Sequence, residues 1–215
     1  MEVKEAKSGD HWDGYYKSQD TPSMPSQFAV FSFNEFFPSA VVDVGCGSGR
    51  DAFFFASQNI PTIGIDGSQS AVDLCSSRIV SNQKVSFQRH DVHSDGLSRY
   101  AIDLLDEWQV DGPILVYARF FVHAIDEDGE RHLLQHAQKL LSRFGGVFAV
   151  EFRTTRDRAM EKVTPDHYRR FVNPAHFVLN AEKAGLTVTY SVEGFGMAKY
   201  REDDAHVARM LLILK

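Results

Sequence analysis

Two hydrophobic periods alternate along this chain. Short apolar runs, often β-branched and bounded by glycine, proline or an acid, predict strands buried on both faces. They fall at 40–44, 61–66 and 85–91, within the stretch 112–125, and at 145–153. Between them, apolar residues at helical spacing predict helices over 51–57, 68–81, 97–108 and 128–141. The second of these turns Ala71, Leu74, Cys75 and Ile79 inward. Downstream, 174–184 predicts a helix ended by Gly185, and 186–192 alternates as a sixth strand. A glycine-punctuated hairpin loop follows over 194–204, then a last strand over 207–214. Strands interleaved with helices predict an α/β fold: a doubly wound, mostly parallel seven-stranded sheet with helices on both faces.

The first 39 residues read as an N-terminal helical cap and 40–215 as the main globular unit. Trp12 and Tyr16 stand four apart and share a face on a helix. A turn-rich linker, 21–26, leads to Ser26, which can cap a phenylalanine-rich helix over 27–37.

The stretch with the strongest chemical signal is Asp43-Val-Gly-Cys-Gly-Ser-Gly49, where a buried strand breaks into a turn with Gly45, Gly47 and Gly49 at every second position and then enters a helix. Glycine lets the backbone turn tightly and lets a ligand approach it. The helix N-terminus adds free N–H groups and a partial positive charge. Such units lie at the carboxyl edge of parallel sheets, where ligands bind. A dinucleotide fingerprint G-x-G-x-x-G fails, because its last glycine would fall on Arg50 or Ala52.

The acid before the glycines and a second acid, Asp66, which ends the next strand 21 residues after Gly45, sharpen the reading. Over roughly residues 40–150 the chain resembles the class I S-adenosylmethionine-dependent methyltransferases, whose first motif is (D/E)-x-G-x-G-x-G. The resemblance implies S-adenosylmethionine as cofactor, with Asp43, Gly45, Gly47 and Gly49 among the residues that bind it. It puts the ribose hydroxyls on Asp66, beside Gly67 and Ser68, and the adenine amino group on Asp91, with the Val92 N–H on the ring. It also implies that the last strand inserts antiparallel and that the aromatic N-terminal segment serves as a lid. The stretch Ala118-Arg-Phe-Phe-Val-His123 resembles the family's fourth motif, with Ala118 at the cofactor and His123 beside the methyl group. Plainer readings stand alongside: Asp66 as the cap of the helix that starts near Ser68, and His123 as a packed or backbone-bonded histidine.

Charge and composition narrow the partners. The net charge is −6 and the pI about 5.8, against a nucleic-acid binder, which usually carries a basic patch. No run reaches the about 18 apolar residues of a membrane span, and the N-terminus lacks the apolar core of a signal peptide. Two cysteines, Cys46 and Cys75, make no disulfide framework, which suits a reduced cytoplasm. The Asn/Asp-Pro-Pro-aromatic signature of many amino-methylating enzymes is absent, and no His/Cys/Asp cluster has metal-ligand spacing.

Methyl transfer from a sulfonium is an in-line displacement with a good leaving group, so alignment carries much of the work, about 7–11 kcal/mol. A hydroxyl acceptor also needs a base, which suits His123; an anionic acceptor needs cations instead. Arg119, Arg153, Arg156, Arg169 and Arg170 follow the fourth and fifth strands. Guanidinium groups grip carboxylate and phosphate in bidentate fashion, although each can instead pair with acids such as Glu151 and Asp157. The expectation is a cytoplasmic monomer or homodimer. It methylates a small-molecule acceptor at an oxygen of an anionic (phosphate or carboxylate) or sugar-type metabolite, with His123, Arg119 and Arg153 at the reaction centre. The alternatives are an NAD(P)-type Rossmann oxidoreductase and a non-catalytic S-adenosylmethionine-binding protein.

Overall fold

The computed structural model describes residues 24–80, 84–160, 168–200 and 202–215. The expected Trp12–Tyr16 helix, most of the linker after it and His167 lie outside them.

Helix α1 (Gln27–Phe36) starts where Ser26 Oγ accepts the Ala29 N–H at 3.0 Å. It ends at Phe37, whose left-handed backbone donates its N–H to Phe33, just ahead of Pro38. The chain then enters β1 (Ala40–Val44), buried throughout, and crosses the glycine turn into α2 (Arg50–Ser57). Two further units follow: β2 (Thr62–Asp66) with α3 (Gln69–Ser76), and β3 (Val85–Arg89) with α4 (Gly96–Glu107). Next come β4 (Ile114–Arg119), α5 (Glu127–Phe144) and β5 (Gly146–Arg153). The chain closes with α6 (Pro174–Lys183), β6 (Leu186–Gly194), a short ribbon of β7 (Lys199–Tyr200) and β8 (Asp203–Asp204), and β9 (Val207–Leu214).

The sheet order is β3-β2-β1-β4-β5-β9-β6, with β9 antiparallel between β5 and β6 and the other neighbours parallel. This is the expected fold class. Strand order reverses between β1 and β4, which opens a crevice at their carboxyl ends. Alternation along the strands divides the core. Val42, Val44, Ile63, Val116 and Phe148 pack with α4, α5 and α6, while Val41, Leu115, Tyr117 and Ala149 pack with α1 and α2.

Helix α3 stops at Ser76, short of the expected Ser81, and Ile79 is 37% exposed rather than inward. Its apolar face is used up by Ala71, Val72 and Cys75, leaving nothing for a further turn to cover. The alternation of β6 is weak because β6 is an edge strand, half to fully exposed after Leu186, with a bulge between Val188 and Tyr190.

A buried polar knot ties α1 to the glycine-turn helix. Ser26 donates its N–H to Asp51 Oδ1 at 2.8 Å and its hydroxyl to Oδ2 at 2.7 Å, and Tyr117 donates to Oδ2 at 2.9 Å. Arg50 adds bonds to the carbonyls of Met24 and Pro25. Ser26→Ala removes the cap and one arm of this knot. It is expected to lower stability by about 1–2 kcal/mol, read as a shift of the urea midpoint; an unchanged midpoint would show that Asp51 and Tyr117 hold without the serine.

Candidate active site at the carboxyl edge of the sheet

A cavity of about 810 Å³ opens where the crevice was expected. Its wall gathers the ends of β1 (Val44, Gly45), β2 (Ile65, Asp66, Gly67, Ser68) and β3 (Arg89 to Ser94), together with Leu97 of α4. Phe120, Phe121, Ala124, Ile125 and Asp126 close it from the β4–α5 loop, and Tyr168 from the segment after β5. The volume lies within the about 300–1,000 Å³ of small-molecule sites.

Asp66 organises this wall. Its Oδ2 accepts the Gly47 N–H and its Oδ1 the Ser68 N–H, both at 2.9 Å. The carboxylate so fixes the glycine turn against the start of α3. Ser68 Oγ, rather than Asp66, caps α3 by accepting the Ala71 N–H. Gly45 has φ +77°, and a Cβ there would stand 2.3 Å from the Phe121 ring, so turn and ring share one space.

The remaining expected cofactor residues divide. Gly67, Asp91 and Val92 line the cavity. The Val92 carbonyl faces His136 Nε2 at 2.9 Å, which anchors that loop on α5. Gly47 and Gly49 shape the turn without lining this cavity, and Ala118 is fully buried within β4, paired with Val150. Asp43 is buried inside β1. Burial first, then the charges of Asp51 and Asp66, push its carboxyl well above the usual range.

The expected reaction-centre residues are placed differently. His123 is 5% exposed and does not line the cavity. Its Nδ1 accepts the Arg153 backbone N–H at 3.1 Å, and its ring stands edge-on to Phe120. In the neutral ring that nitrogen is the only acceptor, so the lone pair a general base would use is already engaged.

The arginines are neutralised from within. Arg119 and Arg209 both donate to fully buried Glu151, at 2.9 and 2.6 Å. Arg153 grips Asp157 at 2.6 Å and Asp203 at 2.5 Å. Arg170 pairs with Glu130, and Arg156 lies 3.6 Å from Glu193. A buried guanidinium without a counter-charge would be far too costly, so the fold supplies one for Arg119, Arg153 and Arg209, whereas Arg156 is a mostly exposed cation. Arg119, Arg153 and Arg209 thus meet three carboxylates, so Arg119 and Arg153, the arginines expected at the reaction centre, are already paired inside the fold.

Sequence reading missed the aromatic wall. Phe120 has a left-handed backbone, φ 55°, rare for a bulky residue and typical of functional sites. Its N–H donates to the Glu151 carbonyl, and the Arg119 guanidinium lies 4.3 Å from its ring centre. Only its place in the fourth motif hinted at this. Tyr168, His90, His93 and Asp126 carried no local signal.

A strand, glycine turn and helix with an acid ending the next strand, around a cavity at the point where strand order reverses, define a nucleoside-binding Rossmann-like site. Residues 41–145 match the model of a family described as a methyltransferase domain, and that stretch is an S-adenosylmethionine-dependent methyltransferase domain. Solved structures agree in fold. A SAM-dependent methyltransferase from Anabaena variabilis superposes with a TM-score of 0.69 at 18% identity, over 96% of this chain and 95% of that one. The CcbJ methyltransferase from Streptomyces caelestis gives 0.68 at 16%, over 96% and 97%. The glycopeptide N-methyltransferase MtfA, complexed with S-adenosylmethionine, gives 0.66 at 14%, over 96% of both chains. Comparison with curated protein sequences finds no match.

S-adenosylmethionine is the cofactor of the family, and the donor set fits it: two carboxylates, Asp66 and Asp91, on a wall that also holds apolar Ile65, Val92 and Leu97. No helix among the described residues is long and apolar enough to cross a membrane.

Proposed function

We propose that this chain transfers the cofactor's methyl group to an uncharged, hydroxylated small molecule of sugar type, held against Phe120, Phe121 and Tyr168. The bound cofactor supplies the electrophilic methyl carbon. The chain's own part is to grip the nucleoside through Asp66 and Asp91, keep the glycine turn open through the Gly47–Asp66 bond, and shield the acceptor from water with the aromatic wall. The single observation that carries the reading is Asp66, bonded on both oxygens to the glycine turn and the α3 start, on the wall of an 810 Å³ cavity.

The ion pairs of Arg119 and Arg153 favour the uncharged acceptor over the anionic one. A charged acceptor would have to displace Glu151, Asp157 or Asp203 from arginines they already hold. With the His123 lone pair engaged, the chain's contribution is chiefly placement of the acceptor oxygen: the O–CH3 bond forms as the cofactor's S–CH3 bond breaks, and the hydroxyl proton passes to water at the cavity mouth, which acts as the base.

The test has two stages. S-adenosylhomocysteine is expected to raise the melting temperature while NADH leaves it unchanged. Asp66→Ala is expected to weaken cofactor binding by about 1.5–3 kcal/mol, the scale of hydrogen bonds to a charged group. A shift with NADH alone overturns the cofactor grip assigned to Asp66. Radiolabelled methyl transfer is then compared between neutral sugars and their phosphates; exclusive transfer to the phosphates overturns the uncharged acceptor.

A further inference from the structure

The outer rim of the cavity carries a charged row in which Asp91 is joined to His93 and Asp126, two residues that the methyl-transfer reading does not use. Asp91, after β3, and Asp126, the N-cap of α5, flank His93 from two directions. The ring Nδ1 is 2.7 Å from Asp91 Oδ1, and Nε2 is 3.3 Å from Asp126 Oδ1 and 4.0 Å from Asp128 Oδ2. The His93 backbone N–H donates to the same Asp91 oxygen at 2.9 Å. Asp126 Oδ1 also accepts the Gly129 N–H at 2.7 Å, so the far end of the row is bonded into the first turn of α5. Asp91, His93 and Asp126 all line the cavity. One oxygen of Asp91 is thus fixed twice by His93. Its side chain is nevertheless 72% exposed, and Oδ2 accepts no hydrogen bond among the described residues.

We infer that His93 is a positioning residue for adenine recognition: by clamping Asp91 Oδ1 and leaning on Asp126, it holds Asp91 Oδ2 ready for the exocyclic amino group of the cofactor. The inference rests on the reading of this cavity as the cofactor's. It explains why a carboxylate on an exposed loop, otherwise free to rotate, can select a purine that carries an amino group.

The clamp depends on protonation. Only the imidazolium has a hydrogen on both nitrogens and can donate to both carboxylates; the neutral ring must release one. The hydrogen bond His93 donates to Asp91 chiefly, then that to Asp126, hold the His93 pKa above its ordinary value against partial burial. Asp91 is held below the usual carboxylate range: the bonds from His93 outweigh its partial burial. Asp126 is also held low, first by the Gly129 N–H. Both acids therefore stay ionised from mildly acid to alkaline pH. The other groups facing the ring are Asp128, which also meets Arg131 and His132, and the His132 ring 5.5 Å away. Because the folded His93 value is raised, the full clamp is present below about pH 6.5, the ordinary histidine value, and is lost as pH rises through the raised value. Cofactor affinity falls with it.

The experiment titrates the full chain with S-adenosylhomocysteine and with its analogue whose purine lacks the 6-amino group, from pH 5.5 to 9. Ionisations of the shared amino-acid end cancel in the comparison. For wild type, affinity for the amino ligand is expected to fall about three- to fivefold with rising pH, the scale of an exposed ion pair, while the analogue shows no such step. His93→Ala is expected to lose the same factor at pH 6 for the amino ligand only. His93→Gln, which keeps a donor but cannot titrate, is expected to remove the pH step. Equal losses for both ligands in His93→Ala, or a pH step surviving in His93→Gln, overturn the inference. Asp91→Asn separates the layers. If it abolishes the preference for the amino ligand while His93→Ala does not weaken it, only the role of His93 falls; if it leaves the preference intact, the adenine role of Asp91 falls too. Failure of wild type to bind either ligand overturns the cofactor reading itself.

Discussion

Glu151→Ala is expected to destabilise the protein by about 3–5 kcal/mol, the cost of breaking a buried ion pair by removing one partner. Glu151 sits in the middle of a cross-strand row. Arg119 on β4 is its register partner on one side and Arg209 on β9 on the other. Each of its oxygens takes one guanidinium N–H, at 2.9 and 2.6 Å, and the carboxylate has no solvent exposure. Alanine leaves two mostly buried arginines without their counter-charge. The Arg119 guanidinium would also lose the fixed end that keeps it over the Phe120 ring, so the cavity wall should loosen with the fold. Urea unfolding of wild type, Glu151→Ala and Glu151→Gln checks this. Glutamine keeps the shape and one acceptor oxygen but turns an NH2 donor toward the other guanidinium, so it should lose less than alanine and still be clearly destabilised. A loss below about 1 kcal/mol in Glu151→Ala, the range of exposed pairs, would mean that the row is solvated and contributes little.

The second large effect is expected at Gly45. Gly45→Ala should weaken S-adenosylhomocysteine binding by about a hundredfold with a smaller loss of fold stability. The residue needs φ +77°, a region that costs a non-glycine residue about 1–3 kcal/mol. The new methyl would also meet the base of the Phe121 side chain, at 2.3 Å from Cδ2 and 2.9 Å from Cβ. The ring cannot simply swing its tip away; the turn, the Phe121 backbone or both must move, and both line the cavity. Calorimetric titration alongside urea unfolding separates the two losses. Adding Phe121→Ala removes the clash but not the backbone strain, so the double variant should recover part of the affinity. Full affinity in Gly45→Ala would show that the turn yields without affecting the site.

Nearest-neighbour chemistry was legible from the chain. The first five strands and the helices between them follow from local apolar periodicity, because a strand covered on both faces must be apolar throughout. The glycine turn was legible because few residues other than glycine take positive φ, and it takes such values at Gly45, Gly47 and Gly49. Asp66 was legible because an acid ending the strand after such a turn stands at the crevice. Its bond to Gly47, which links residues 19 apart, was not.

By itself, then, the sequence determined the α/β order, the glycine turn, the acids at the strand ends and hence the class of ligand, since each depends on residues close together in the chain. Tertiary structure decided what the arginines and His123 do. Read along the chain, Arg119 and Arg153 were cations past the ends of adjacent strands, awaiting an anion. In the folded protein the insertion of β9 beside β5 brings Arg209 to Glu151, and the ribbon before it brings Asp203 to Arg153. These pairings span 58 and 50 residues, and no local pattern encodes them. The same holds for the bond that engages His123 and for the row joining Asp91, His93 and Asp126. Whether a charge is offered to a ligand or spent inside the fold depends on which distant counter-charge the topology places within about 3 Å of it, because desolvation makes an unpaired buried charge prohibitive.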